Sequence, residues 1–223
     1  MIDLSLLWKH KIFMLSGAVV TLKLTLGAVF IGLILGVFLG MGRVSRIVCF
    51  RWFSGFYVQI FRGTPMLLQI FFIYFGVPQL FNLITGHSMS PDPLLVGIIA
   101  LGLNSGAYVA EIVRAGIQAV GQGQMEAGRS IGLSYSQTMR HIILPQAMKK
   151  IIPPLGNEAI VLLKDSSLVS VIGTQELMYS AKVMGARYYD YVQFLVGAGI
   201  VYLFFTFVIA RLLAKVEDKL DYS

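Results

Sequence analysis

Long apolar runs alternate with short polar intervals along this chain. Runs at about 14–41, 53–83, 94–113, 151–172 and 194–213 are each long enough to cross a hydrocarbon layer of about 30 Å as a helix. Five membrane spans are predicted from them. Residues 1–13 (MIDLSLLWKHKIF) are amphipathic and are expected to lie at the membrane surface. The second run is long enough to tilt or break, and Arg62-Gly63-Thr64-Pro65 is its irregular centre. The third holds Asn104 and Glu111. The fourth holds Asn157, Glu158, Lys164 and Asp165. Residues 173–192 form a polar connector with room for a short helix, and a charged tail follows the fifth run.

The longest polar interval between spans, Glu126 to Pro145, reads as helix, turn, helix. Glu126–Ile131 form a first short helix, and Gly132 provides a backbone free to take positive φ at its end. Ser134 is a natural N-cap for a second helix from Tyr135 to about Ile143, and Pro145 is expected to stop or bend it. Tyr135, Met139, Ile142 and Ile143 fall at i, i+4, i+7 and i+8, an apolar stripe. A helix pair of this kind between spans suits a docking knob for a cytoplasmic partner.

The same stretch resembles the loop by which permeases of ABC transporters engage their ATPases. That loop reads E-A-A, three residues, G, nine residues, I-x-L-P. Here Glu126-Ala127-Gly128 is followed three residues later by Gly132, nine later by Ile142, and then by Leu144-Pro145. Gly128 stands where the loop has a third small residue, alanine. It keeps the position small and weakens the local helix by about 1 kcal/mol.

Composition agrees with the spans. Of 223 residues, 57% are hydrophobic, and the mean hydropathy is +0.76, far above that of a water-soluble domain. The net charge of +7 does not indicate nucleic acid, because the cations flank the spans. With the 126–145 segment inside, Arg43, Arg46, Arg51, Arg114, Arg129, Arg140, Lys149, Lys150, Arg211, Lys215 and Lys219 are cytoplasmic. Only Lys9, Lys11, Lys182 and Arg187 lie outside, so the N-terminus is expected outside and the C-terminus in the cytoplasm. The lone Cys49 excludes an intramolecular disulfide, and no Cys/His metal spacing occurs. The first apolar run is too long for a cleavable signal peptide and has no small-residue cleavage site.

Ionisable groups in lipid-facing positions are costly, so those inside spans are expected to face the bundle or a cavity. Asn157 and Lys164 share one helical face. Glu158 and Asp165 share another, rotated by about 100°. Such a helix lines a translocation path, or its Lys164 and Asp165 pair with neighbours to hold the bundle. Glu158 has no cation three or four residues away and is the candidate substrate carboxylate. The Gly63–Thr64 break is either a seat for a ligand carboxylate or a packing kink with Arg62 paired to an acid such as Glu111. Asn157, Asn104 and Asp165 complete the candidate substrate residues.

Arg62-Gly63-Thr64-Pro65, Glu111-Ile-Val-Arg114-Ala-Gly116, Gly123-Gln124-Met-Glu126-Ala and Leu162-Leu163-Lys164-Asp165-Ser-Ser-Leu168 together resemble the polar amino acid permeases of type I ABC importers, over residues 16–215. The resemblance implies an all-α integral membrane protein with the family's five-helix core and a coupling-helix loop between helices 3 and 4. It forms a single transmembrane domain over 1–223, with the docking segment at about 121–148. A bacterial plasma membrane location is implied. So are a second permease (another copy or a close paralogue), a cytoplasmic ATPase dimer and an extracytoplasmic solute-binding protein that delivers an amino acid. The chain has no G-x-x-x-x-G-K-[ST] loop, and no Gly precedes a Lys, so ATP and Mg are expected on the partner ATPase. No cofactor or nucleic acid is expected on this chain. A free Glu158 favours a basic substrate, arginine, lysine or histidine, over glutamine or another polar amino acid.

Three other classes fit less well. An ion-coupled carrier would use the in-span acids as proton relays, but predicts inverted repeats and leaves the docking loop unexplained. An intramembrane hydrolase built on Ser105 has no histidine within a span: His10, His87 and His141 sit at edges or in loops. A channel would need a filter sequence, and none occurs.

Overall fold

The 34 residues from Lys11 to Val44 contain no proline, and their apolar character carries them across a bilayer as one helix. The computed structural model describes residues 4–221. A short α1 (Leu4–Lys9) leads into α2 (Lys11–Val44). The chain turns back into α3 (Val48–Gly63), breaks at an extended Thr64 and Pro65, and resumes as α4 (Met66–Phe71). A π turn, Phe72–Gly76, joins α4 to α5 (Val77–Thr85), which ends on a left-handed Gly86. Asp92 caps α6 (Pro93–Gln118) by accepting the Leu95 N–H at 2.8 Å. Next come α7 (Gln122–Ser130), α8 (Tyr135–Thr138), a second π turn at Met139–Ile143, and α9 (Leu144–Asp165). α9 tightens into a 3-10 turn, Ser166–Ile172, that ends on left-handed Gly173. α10 (Leu177–Tyr188) occupies the expected connector, and α11 (Tyr191–Asp221) keeps the charged tail helical.

Among the described residues four stretches are long and apolar enough to cross a membrane: α2, Met66–Thr85, α6 and Tyr191–Lys219. The second expected span divides at its predicted weak point, and only the part after Pro65 has that length and hydropathy. The fourth expected span lies in α9 and its 3-10 end, where Lys149, Lys150, Asn157, Glu158, Lys164 and Asp165 lower the hydropathy. It packs between α6 and α11.

The centre of the bundle is the α2–α6 pair. Inside lipid, helices associate by close packing rather than by water exclusion, so small residues mark the seam. Gly32, Gly36 and Gly40 recur every four residues on one face of α2 and are buried. A β-carbon at Gly32 would stand 2.8 Å from Ser105 Oγ, and one at Gly40 would stand 2.7 Å from Val113 Cβ. Only hydrogen fits there. Leu24, Ala28, Ala100, Leu101, Leu162 and Val169 continue the seam into α9 and the turn after it.

A buried carboxylate fastens the far end of the bundle. Glu176 is fully buried and caps α10, accepting the Met178 and Tyr179 N–H groups at 2.9 and 2.7 Å. It also accepts Tyr202 Oη at 2.8 Å from α11, while Thr21 of α2 approaches at 3.4 Å. Four donors from three elements offset the cost of taking a carboxylate out of water.

Candidate functional site

The polar segment between α6 and α9 folds from its own local chemistry. Gly132 takes φ +88°, and its N–H and that of Leu133 return to Arg129 O and Gly128 O at 3.1 Å. Ser134 accepts the Gln137 N–H at 3.2 Å, and Gln137 Oε1 accepts the Ser134 N–H at 2.8 Å, a reciprocal capping box. The apolar stripe of the second helix meets α6: Ile143 is buried with Val113, Val120 and Ala147, and Met139 and Ile142 pack beside them. Gly128 is buried against Thr138, whereas Glu126, Ala127, Ile131, Gly132, Leu144 and Pro145 face outward. Ile131 is 77% exposed at the tip. Ile142 is half-buried, a supporting residue more than a contact residue.

Pro145 does not stop the second helix, one of the two outcomes expected of it. Proline lacks an N–H and crowds the carbonyl four residues back. The π turn at Met139–Ile143 widens the helix at that carbonyl, and the chain continues directly into α9.

Two further contacts lie beside the knob, one joining α9 to the end of α6 and one reaching Tyr135 from the α2–α3 elbow. Lys150 Nζ donates to Ala119 O at 2.6 Å, and the Arg46 guanidinium lies 4.4 Å from the Tyr135 ring. A cavity of about 520 Å³ opens between the α2–α3 elbow and the segment, lined by Arg43, Arg51, Gln118, Met125, Tyr135 and Met139 among others.

The break in the second span is closed by a side chain the sequence reading did not single out. Gln69 Nε2 donates to Phe61 O at 2.9 Å, Thr64 O at 3.1 Å and Thr64 Oγ1 at 2.8 Å. Asn104 Nδ2 donates to Gln69 Oε1 at 2.9 Å and approaches Phe61 O at 3.3 Å. Backbone groups freed at membrane depth need such partners. Thr64 and Asn104 are thus brought together, joined through Gln69. Gly63 is exposed, and nothing lies within 4 Å of where its β-carbon would stand. Arg62 does not pair with Glu111. It lies over the Tyr108 ring at 5.2 Å. Glu111 is taken by Arg114, three residues on along α6, with Arg43 Nη2 at 3.8 Å.

Ser105 Oγ donates to Glu158 Oε1 at 2.9 Å. Among the described residues neither Glu158 nor Asp165 forms an ion pair. Both are half-buried, whereas Asn157 and Lys164 are exposed. The cleft beside Glu158 is lined by Val29, Leu33, Ser105, Val109, Leu155, Ala159 and Leu162 and measures about 10 Å³, room for one water. Asn104 and Ser105 are neighbours on α6 with different partners, the broken helix and α9. Within one chain the candidate substrate residues therefore form two clusters, Gly63–Thr64–Asn104 and Glu158–Asp165, with α6 between them.

Comparison with known proteins agrees with this fold. The family model of the binding-protein-dependent transport system inner membrane component matches residues 28–222. The arginine transport system permease protein ArtQ of Bacillus subtilis (strain 168) is 41% identical over 208 residues, covering 93% of this chain and 92% of that one. A putative glutamine transport system permease protein GlnP of Rickettsia bellii (strain RML369-C) is 38% identical over 212 residues, 95% of this chain and 94% of its own length. A crystal structure of an amino acid ABC transporter with histidines superposes with a TM-score of 0.90 at 39% identity, covering 98% of this chain and 99% of that chain.

Proposed function

The chain belongs to the family of binding-protein-dependent transport system inner membrane components, and on that premise we propose that it carries a basic amino acid, arginine, lysine or histidine, across the membrane. It is a permease subunit of an amino acid ABC importer, and ATP hydrolysis lies in a separate subunit. The finer reading is a pair of permeases, fed from outside by a solute-binding protein and driven by two cytoplasmic ATPase chains with their ATP and Mg. The N-terminus lies outside and the C-terminus in the cytoplasm, as the placement of lysine and arginine favours.

The observation that carries the substrate is the pair of carboxylates on one face of α9. Glu158 and Asp165 are half-buried without an ion pair, and a carboxylate in a partly dry cavity is costly unless a cation joins it. Relatives are named for arginine and for glutamine, so names do not choose. A neutral glutamine would leave both carboxylates unpaired; a basic side chain would not. The cleft beside Glu158 is far too small for an amino acid, so the loaded site forms as α9 moves away from α6 toward the second permease. Asn157, Asn104, Gly63 and Thr64 supply polar contacts along the same path. Closure of the ATPase pair pushes on the Glu126–Pro145 knob, tilts α9, and changes the side on which the site opens. Substrate biases this change only through its differential affinity for the two states.

Uptake of labelled arginine and lysine by the reconstituted Glu158→Gln transporter tests the reading. Severe loss is expected, because the substrate's cation loses its partner, while ATPase activity survives in part. Uptake equal to the parent's overturns the basic assignment.

A further inference from the structure

Helix α10 lies at the end of the bundle remote from the docking knob, since α9 climbs about 33 Å between them. Its inner side is fixed. Leu177, Ala181 and Met184 are buried against α2 and α11, Glu176 caps its start, and His10 Nε2 meets Tyr188 Oη at 2.7 Å. That last contact sets Lys9 and Lys11 near the end of α10. On the outer side Lys182, Ala186 and Tyr189 fall at i, i+4 and i+7, all exposed, with Arg187 exposed beside them. No acidic residue occurs between Leu177 and Tyr188; Asp190, next to Tyr189, is half-buried in the turn, so Lys182 and Arg187 leave the corner net basic.

Tyr189 is the unusual member. Its φ is 55°, and among the described residues it is the one non-glycine with positive φ. A bulky residue in this region is strained. The ring gains no packing in return, being 95% exposed. The turn is nevertheless locked: the Tyr189 and Asp190 N–H groups both return to Gly185 O. The Tyr191 ring also lies over Gly185, where a β-carbon would stand 2.6 Å from Cδ1. A rigid, exposed tyrosine flanked by Lys and Arg has the composition of a protein-interface anchor. A membrane contact would need an apolar face. α1 offers one, with Trp8 exposed; the outer side of α10 does not.

We propose that the α10–α11 corner is the docking surface for an acidic rim of the solute-binding protein, with Tyr189 as its anchor and Lys182 and Arg187 beside it. The inference rests on the reading of this chain as a binding-protein-fed importer, a dependence that the family's description carries. It adds the surface and the charge of the partner that fits it.

The test titrates the binding protein against the full transporter in proteoliposomes and reads uptake and ATPase rate. Two variants are compared with the parent: Tyr189→Gly, and Lys182→Glu combined with Arg187→Glu. Glycine relieves the left-handed strain, so the melting temperature should hold or rise while the half-saturating binding-protein concentration increases about tenfold. The charge reversal should raise it further and abolish its dependence on salt. Both variants should reach the parent's maximal rate at saturation. Unchanged half-saturation in both overturns the docking surface. So does weakening that comes only with a lower melting temperature and a lower maximal rate, which makes the turn structural, or loss of binding to anionic vesicles with half-saturation intact, which makes the corner a membrane contact. A parent whose transport ignores the binding protein overturns the importer reading itself, an outcome separate from variants that behave like a dependent parent.

Discussion

Gly128 and Thr138 face each other across the two helices of the docking knob, and the threonine γ-methyl occupies the place of a missing β-carbon. A β-carbon at 128 would stand 2.6 Å from Thr138 Cγ2, and Thr138 is fully buried. The glycine that departs from the family loop is therefore matched by its partner. Gly128→Ala should overpack the contact and destabilise the knob by about 1–3 kcal/mol. Adding Thr138→Ser, which removes the methyl and keeps the hydroxyl bonded to Ser134 O at 3.0 Å, should restore part of it, since Oγ1 still stands 2.9 Å from the added β-carbon. Hydrogen exchange of residues 122–143 and coupled ATPase activity read both changes; a single variant with parental exchange would refute the packing account.

Gly132 makes the turn itself. With φ at +88°, Gly132→Val forces a β-branched residue into a left-handed conformation that costs an ordinary residue about 1–2 kcal/mol. ATP hydrolysis should continue while uptake falls, with normal insertion into membranes. Normal uptake would remove the segment from the coupling path.

Gln69 satisfies the groups freed at Thr64–Pro65. Gln69→Leu keeps the volume and leaves Phe61 O, Thr64 O and the Asn104 amide without this partner. Each buried group left unsatisfied costs about 1–3 kcal/mol, so the melting temperature in detergent should drop by several degrees. An unchanged melting curve would mean that water replaces the amide.

Orientation is open to thiol labelling. Cys49 is exposed, so it is first replaced by serine. Ser88→Cys should then react with an impermeant maleimide applied outside, and Ser136→Cys should not. The opposite pattern inverts the topology.

What the sequence made legible is what depends on neighbours along the chain. The capping box at Ser134, the positive φ at Gly132 and the rupture at Gly63–Pro65 each follow from a few consecutive residues. Contacts between elements were not legible in the same way. The spacing of Gly32, Gly36 and Gly40 carries no meaning within its own helix, because it depends on the residues of α6 placed opposite. Glu176 passed as part of a polar connector, although an acid just before an apolar helix is an N-cap signal. An Arg62–Glu111 pair, one of the two readings of the break, lost to a local competitor, since Arg114 is three residues from Glu111 on the same helix. Glu158 was found as a candidate because its helix lacked a cation at the right spacing; its tie to Ser105 required the fold.

The unbroken passage through Pro145 has a mechanical consequence. From Tyr135 to Glu158 the chain is helical without interruption over about 34 Å, with the segment proposed to meet the ATPase at one end and the candidate cargo carboxylate far along it. A tilt of about 10° about the docking end sweeps that carboxylate through about 6 Å, the height of a helical turn. Pro153 and Pro154 lie between the two and remove two rungs of hydrogen bonding, a flexible collar on the drive shaft. Stroke length and compliance are then set by separate residues, and each can be altered without touching the other.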